Sequence, residues 1–273
     1  MEANSNRNQK LKLNNDIEMP VIGLGVWQMG KGGATEQPVL WALEAGYRLI
    51  DTAMAYDNER EVGNAVRQSG FSRNEIFVTT KLWRGDQGYG STLQAFDASL
   101  SRLKLDYVDL YLVHWPYTGA RALEVRSDTW RAMEEVYQSG RVRAIGVSNY
   151  TIEHLEEMKS YAKIPPAVNQ VEFHPFEYNK ELLEYCHNNN ISLEAYSPLM
   201  RGLGLDDQRI TEISKKHGKT NAQILLRWNI QHGNIVIPKS SHLERIKENI
   251  DIFDYELSKE DMSVLNNLSR EGV

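Results

Sequence analysis

Asp51, Tyr56, Lys81 and His114 are four side chains whose types together make a proton-transfer device. A tyrosine ordinarily loses its proton near pH ~10, too high for acid–base work at neutrality. A lysine ammonium against the phenol oxygen favours the phenolate and lowers that value, and a buried aspartate keeps the lysine charged and oriented. His114 would hydrogen-bond a substrate oxygen and help position it. Taken singly, each has a plain explanation: Asp51 caps a turn, Tyr56 packs at a loop base, Lys81 is solvated and His114 is a satisfied buried histidine. The device exists only if the fold gathers all four.

The elements that would gather them are eight short apolar segments, each running into or carrying a residue able to do chemistry. They are Val21–Val26 before Trp27, Tyr47–Ile50 before Asp51, Ile76–Thr80 before Lys81, Val108–Val113 before His114, Ala144–Val147 before Ser148 and Asn149, Val168–Val171 carrying Gln170, Ser192–Ala195 before Tyr196, and Ile235–Pro238 before Lys239. Helical patterns lie at Glu36–Ala45, Glu59–Ser69, Ser91–Leu103, Ser127–Ser139, Ile152–Tyr161, Lys180–Asn189, Asp206–Lys216, Asn221–Gln231, Leu243–Ile250 and Lys259–Leu268. Glycines near helix ends and Ser258 three residues before Asp261 supply ordinary helix punctuation. Strands alternating with helices predict a parallel α/β sheet, and this many alternations fit a closed (β/α)8 TIM barrel better than the competing open doubly wound sheet. Lys10–Leu13 and Ile17–Met19 around Asn14-Asn15-Asp16 predict an N-terminal β-hairpin that would cover the bottom of the barrel, and extra helices are expected near the C-terminus.

A chain of 273 residues without linker or low-complexity tract reads as a single domain, residues 1–273. The net charge of −6 and pI near 5.7 argue against a nucleic-acid partner, since phosphate binding needs clustered Lys and Arg. The single cysteine, Cys186, forbids an internal disulfide. A polar start with no apolar stretch after it argues against a secretory signal, and no apolar run approaches membrane-spanning length. A cytoplasmic monomer acting on a small molecule is expected.

Two near-motifs fail. Gly25 to Lys31 has phosphate-loop spacing, but Gly32 stands where Ser or Thr is needed, and Gly146-Val-Ser148-Asn-Tyr150 lacks the closing glycine of a nucleophile elbow. No GxGxxG follows the first strand, and the seven histidines include no HExxH, so neither a Rossmann site nor a metal site is expected. A general acid needs a hydride donor beside it before it can reduce anything. Lys239, Ser240, Ser241 and the start of the next helix form a plausible anion site. Arg245, Glu248 and Asn249 share a helix face suited to a 2′-phosphoadenosine end, with an Arg245–Glu248 ion pair as the bland alternative.

These residues resemble an aldo-keto reductase, from Met19-Pro-Val-Ile-Gly-Leu-Gly25 through Tyr47-Arg-Leu-Ile-Asp51-Thr-Ala, Leu110-Tyr-Leu-Val-His114-Trp-Pro and Ile145-Gly-Val-Ser148-Asn149 to Ile237-Pro-Lys239-Ser240. The chain looks most like the bacterial branch that reduces small aldehydes, dicarbonyls and diketo sugars. The resemblance implies an extended NADPH on a barrel, a catalytic set of Asp51, Tyr56, Lys81 and His114, and Tyr56 as the general acid. It also implies that Ser148, Asn149 and Gln170 fix the nicotinamide carboxamide, with Tyr196 stacked on its ring. Ser197 and Leu199 would line the pyrophosphate path. Lys239, Ser240, Ser241, Arg245 and Asn249 would hold the adenosine and its phosphate. Trp27, Trp83 and Trp115 would wall the substrate pocket, and an aromatic wall with few polar anchors implies broad carbonyl specificity. The modest Tyr117–Arg126 loop, the short loop after Tyr196 and the end at Val273 depart from many members, and suggest either a more open pocket or a shortened chain. Two other readings stay open: a nucleotide-sensing protein on the same barrel with little turnover, and a Schiff-base chemistry at Lys81.

Overall fold

The computed structural model describes residues 9–268. Residues 1–8 and 269–273 lie outside the described residues, and with them most of the polar start and the last residues of the chain.

A hairpin opens the chain. β1 (Lys10–Lys12) and β2 (Glu18–Pro20) pair antiparallel, Leu11 opposite Met19. The barrel elements then alternate: β3 (Leu24–Gly25), α1 (Gly33–Ala45), β4 (Leu49–Asp51), α2 (Glu59–Gln68), β5 (Phe77–Leu82), α3 (Tyr89–Leu103), β6 (Val108–Val113), α4 (Ala122–Gln138), β7 (Val142–Ser148), α5 (Ile152–Met158), β8 (Val168–Glu172), α6 (Lys180–Asn188) and β9 (Ser192–Tyr196). Two helices, α7 (Gln208–His217) and α8 (Asn221–Gln231), precede β10 (Ile235–Val236), and α9 (Leu243–Ile250) and α10 (Lys259–Asn266) follow it. The sheet order β10-β9-β8-β7-β6-β5-β4-β3 is parallel throughout. It closes through a parallel bridge between Ile22 and Val236, where Gly23 N donates to Val236 O at 2.8 Å and Val236 N to Val21 O at 2.9 Å. The expected barrel, hairpin and additional C-terminal helices are all present.

Side chains alternate in and out along each strand. The lower inward positions, Leu49, Phe77, Leu110, Ala144, Val168 and Ile235, are buried and pack with Leu13 and Met19 of the hairpin. Asn14 Nδ2 donates to Pro166 O at 3.0 Å and Asn15 Nδ2 to Arg143 O at 2.9 Å, so the hairpin is stitched across the amino-terminal end of the strands. The lumen has little space to spare: a Cβ at Gly146 would lie 2.5 Å from Val168 O and 2.8 Å from Leu112 Cδ2.

Local departures from the sequence reading have simple causes. β5, β7 and β9 run farther toward the carboxyl end than their apolar segments, taking Lys81, Ser148 and Tyr196 into strands, because ladder hydrogen bonds continue beyond the apolar residues. β10 stops at Val236, two residues before Pro238, which has no N–H to offer a ladder. α4 starts at Ala122 rather than Ser127, shortening the loop after β6. There Arg126 is buried, paired with Glu157 at 2.7 Å, and also donates to Tyr117 O. Among the described residues, no helix is long and apolar enough to cross a membrane.

Candidate active site

Higher on the same inward face, ionisable and amide side chains take over from apolar or hydroxyl ones. Asp51 follows Leu49, Lys81 follows Thr79, Gln170 follows Val168 and Glu194 follows Ser192, each shifted by the two residues that keep a strand side chain on one face. Lys81 is fully buried and donates to Asp51 Oδ1 at 2.6 Å, to Thr52 O at 2.9 Å and to Tyr56 OH at 3.3 Å. All three ammonium protons are therefore committed, and one points at the phenol.

Tyr56 reaches this position from a single 3-10 turn, Met54–Tyr56, after β4. The turn is tied at its base: Thr52 Oγ1 donates to Asn58 Oδ1 at 2.8 Å and Asn58 Nδ2 to Val26 O at 2.9 Å. Glu59, buried at the start of α2, accepts from Thr80 Oγ1 at 2.6 Å and from Arg102 Nε at 2.5 Å. The Tyr56 and His114 rings meet edge to face at 5.6 Å, and His114 meets Trp83 likewise at 5.3 Å. The structure thus brings all four device residues together.

Burial raises the Tyr56 phenol above its usual value, outweighing the lowering by Lys81, while Asp51 raises it further. Lys81 does lower the phenol as expected, but desolvation of the half-buried ring outweighs one ammonium and the net direction is up. Tyr56 holds its proton at neutral pH. Burial opposes the charge on Lys81, but Asp51 and Tyr56 more than restore it, and the net direction is up. Burial raises the Asp51 carboxyl above its usual value, and Lys81 and Gln170 pull it only part of the way back. His114 is lowered to about 3 by burial, with Lys81 and Arg84 adding to it, so its imidazole is neutral. Its Nδ1 is buried without a partner among the described residues.

Around this centre Ser148, Asn149, Gln170 and Tyr196 form one hydrogen-bonded group. Ser148 Oγ donates to Gln170 O at 2.8 Å, Asn149 Nδ2 to Ser148 Oγ and to His114 O at 3.0 Å each, and Tyr196 OH to Asn149 Oδ1 at 2.9 Å. Asn149 holds a φ of 63°, a left-handed conformation that Asn tolerates better than most residues. Gln170 Nε2 donates one proton to Asp51 Oδ2 at 2.8 Å and the other to Glu194 Oε2 at 2.7 Å. Glu194 escaped the sequence reading.

The remaining expected residues lie farther along the rim. Ser197 and Leu199 are half-buried in the turn after β9. Lys239 is exposed and without an acid partner among the described residues, and so is Arg245 on α9. The bland Arg245–Glu248 pair is not formed: Glu248 accepts from Thr220 Oγ1 at 2.8 Å instead. Ser240 Oγ accepts from His242 N at 3.2 Å, Ser241 is exposed and Asn249 is buried. The N-cap of α9, His242, makes no side-chain cap, so the first N–H groups of the helix stay available to an anion. Trp83 and Trp115 share the Arg84 guanidinium, at 5.1 Å and 5.3 Å from their ring centres, while Trp27 carries Arg201 at 4.7 Å. Neither arginine has an acid partner among the described residues.

An eight-stranded barrel with a buried lysine between a carboxylate and a phenol at its carboxyl rim defines a class of oxidoreductase. The chain belongs to the aldo/keto reductase family, whose sequence profile matches residues 21–270. It is 51% identical over 261 residues to a glyoxal reductase of Bacillus subtilis (strain 168), covering 96% of this chain and 93% of that protein. It is 47% identical over 262 residues to a 9,11-endoperoxide prostaglandin H2 reductase of Trypanosoma cruzi (strain CL Brener), covering 95% and 91%. The crystal structure of an aldo-keto reductase from a Medee basin deep-sea metagenome library superposes with a TM-score of 0.91 at 48% identity, covering 97% of each chain.

Proposed function

We propose that the chain is an NADPH-dependent carbonyl reductase acting on small aldehydes and dicarbonyls, with Tyr56 as the general acid. The observation that carries this reading is the contact of the buried Lys81 ammonium with both Asp51 and the Tyr56 phenol. The substrate class rests on the likeness to a glyoxal reductase and on the three tryptophans at the rim, which offer an apolar wall to small carbonyl compounds.

The residues present fit a nicotinamide dinucleotide. Both Gln170 amide protons are used within the protein, so its Oε1 is the atom left to accept from a carboxamide. Tyr196 is anchored by its hydroxyl and half-exposed, as a stacking surface must be. Lys239, Arg245 and the uncapped start of α9 supply cations and N–H groups to phosphates. When bound, the reduced nicotinamide supplies a hydride to the carbonyl carbon. Tyr56 gives its proton to the carbonyl oxygen while Lys81 stabilises the negative charge that develops on the phenol. Neutral His114 orients the same oxygen, and Trp27, Trp83 and Trp115 exclude water around it.

The test is loss of reduced-nicotinamide absorbance with glyoxal, methylglyoxal and aromatic aldehydes, for the wild type and Tyr56→Phe. The variant is expected to lose about 10²–10⁴-fold in kcat while binding NADPH as before. Undiminished turnover would reject Tyr56 as the acid. Tight NADPH binding with no turnover across the panel would favour a nucleotide sensor.

A further inference from the structure

We propose that Glu194 is a positioning residue of this site: a neutral carboxyl that holds the Gln170 amide across to Asp51 and leaves Lys81 with a single counter-ion. The inference rests on the carbonyl-reductase reading and goes beyond it, because Glu194 touches none of the groups assigned to substrate or nucleotide except Gln170.

The geometry comes first. Glu194 is fully buried in β9, directly beside Gln170 in the β8–β9 register and beside the apolar Ile235 of β10 on its other flank. One amide nitrogen spans two carboxyl groups, 2.8 Å to Asp51 and 2.7 Å to Glu194. The charged and titratable groups that act on Glu194 are Asp51 from β4, Lys81 from β5 and Tyr56 from the turn after β4. They offer one ammonium for two carboxyls in a site closed to water, and two buried carboxylates so placed cannot both ionise.

The donors decide which keeps the charge. Asp51 receives the ammonium at 2.6 Å as well as the amide, whereas Glu194 receives the amide alone and its Oε1 has no partner among the described residues. An ionised oxygen without a donor costs more than a protonated one, so the proton sits on Glu194. In agreement, burial and the Asp51 charge push the Glu194 carboxyl up to about 8.

This arrangement has a consequence for rate. When Glu194 ionises, a second negative charge appears near Tyr56 and makes its proton harder to give away, so reduction slows as the pH rises through about 8. Tyr56 itself is held above its ordinary value and does not titrate there.

Glu194→Gln keeps an acceptor for Gln170 and cannot ionise, whereas Glu194→Leu removes both properties. Infrared difference titration of the protein without nucleotide is expected to show a buried carboxylic-acid C=O stretch that disappears near pH 8 and is absent from both variants. In single-turnover reduction, the wild type is expected to slow across that pH range and Glu194→Gln to stay flat, with Glu194→Leu slower by roughly tenfold at every pH. The absence of a titrating band, or wild-type and Glu194→Gln profiles that superimpose, would overturn the proposal. The infrared reading is independent of turnover, so failure of the carbonyl-reductase reading would show only in the kinetics of wild type and Tyr56→Phe.

Discussion

Along four barrel strands the inward face acquires an ionisable or amide side chain within two residues, from an apolar residue on two of them and a hydroxyl residue on the other two. Leu49 becomes Asp51, Thr79 becomes Lys81, Val168 becomes Gln170 and Ser192 becomes Glu194, while the floor below is Leu110, Ala144, Ile235 and the hairpin residues Leu13 and Met19. Leu49, Val168, Asp51, Lys81, Gln170 and Glu194 are all buried, yet the two layers are held by different forces. The floor gains from burying apolar area and has no charge to satisfy. The polar layer begins with the desolvation cost of its charges and is viable only because Lys81, Asp51, Gln170 and Tyr56 are hydrogen-bonded to one another. Damage to the floor should therefore reach stability alone, and damage to the polar layer should reach both stability and rate.

The sharpest way to break that contrast is Lys81→Met. Removing the cation leaves the buried Asp51 without its counter-ion, which is expected to cost about 3–5 kcal/mol of stability and to abolish measurable turnover. Denaturant unfolding and single-turnover kinetics on the folded fraction check the two losses separately, and a variant as stable and active as wild type would erase the distinction. Next in size, Leu110→Ala in the floor is expected to cost about 2–5 kcal/mol by opening a cavity. Its turnover per folded molecule should be unchanged, and a fall in that rate with preserved stability would reverse the assignment of roles. The smallest change in stability is expected at the exposed rim. Arg245→Ala should leave unfolding within about 0.5 kcal/mol of wild type while weakening NADPH by roughly tenfold through loss of a charge-assisted contact. NADH binding should not change, and equal losses for both nucleotides would remove Arg245 from the phosphate site.

Much of this frame was legible because local signals agreed. Ser258 Oγ accepts from Asp261 N at 3.1 Å, and the Asp261 carboxylate accepts in turn from Ser258 N, as the spacing of the two residues suggested. The ends of α9 and α8 fall where the sequence places them. The side chains expected to meet, Asp51, Tyr56, Lys81 and His114, do so because they leave neighbouring strands at the same end. What the residues alone did not convey was depth. The Tyr56 phenol shifts upward through burial against its neighbours, in a turn whose base is tied by Asn58 and Glu59, neither of which is an obvious anchor in the sequence. Glu194 was missed for a related reason, since a carboxylate inside an apolar segment has two meanings. Asp109, in the same situation on β6, faces outward to Arg73 at 2.7 Å and Arg143 at 2.8 Å and serves packing. The signal that separates them is parity: Glu194 is in phase with Tyr196 on the lumen face, whereas Asp109 is out of phase with Leu110 and His114.

The ring of strands is fastened at a narrow joint. β3 is only two residues long, and its link to β10 consists of the Ile22–Val236 bridge and the few backbone hydrogen bonds around it, including Gly25 N to Pro238 O at 3.3 Å. The segment carrying Lys239, Ser240 and Ser241 departs from that joint directly into α9. On the proposed nucleotide reading, a dinucleotide gripped there would work as a latch, drawing the free energy of its own binding into the joint, so that thermal resistance should rise with occupancy. The amides of Gly23 and Val236 would then report, through slowed hydrogen exchange, how firmly the staves are hooped.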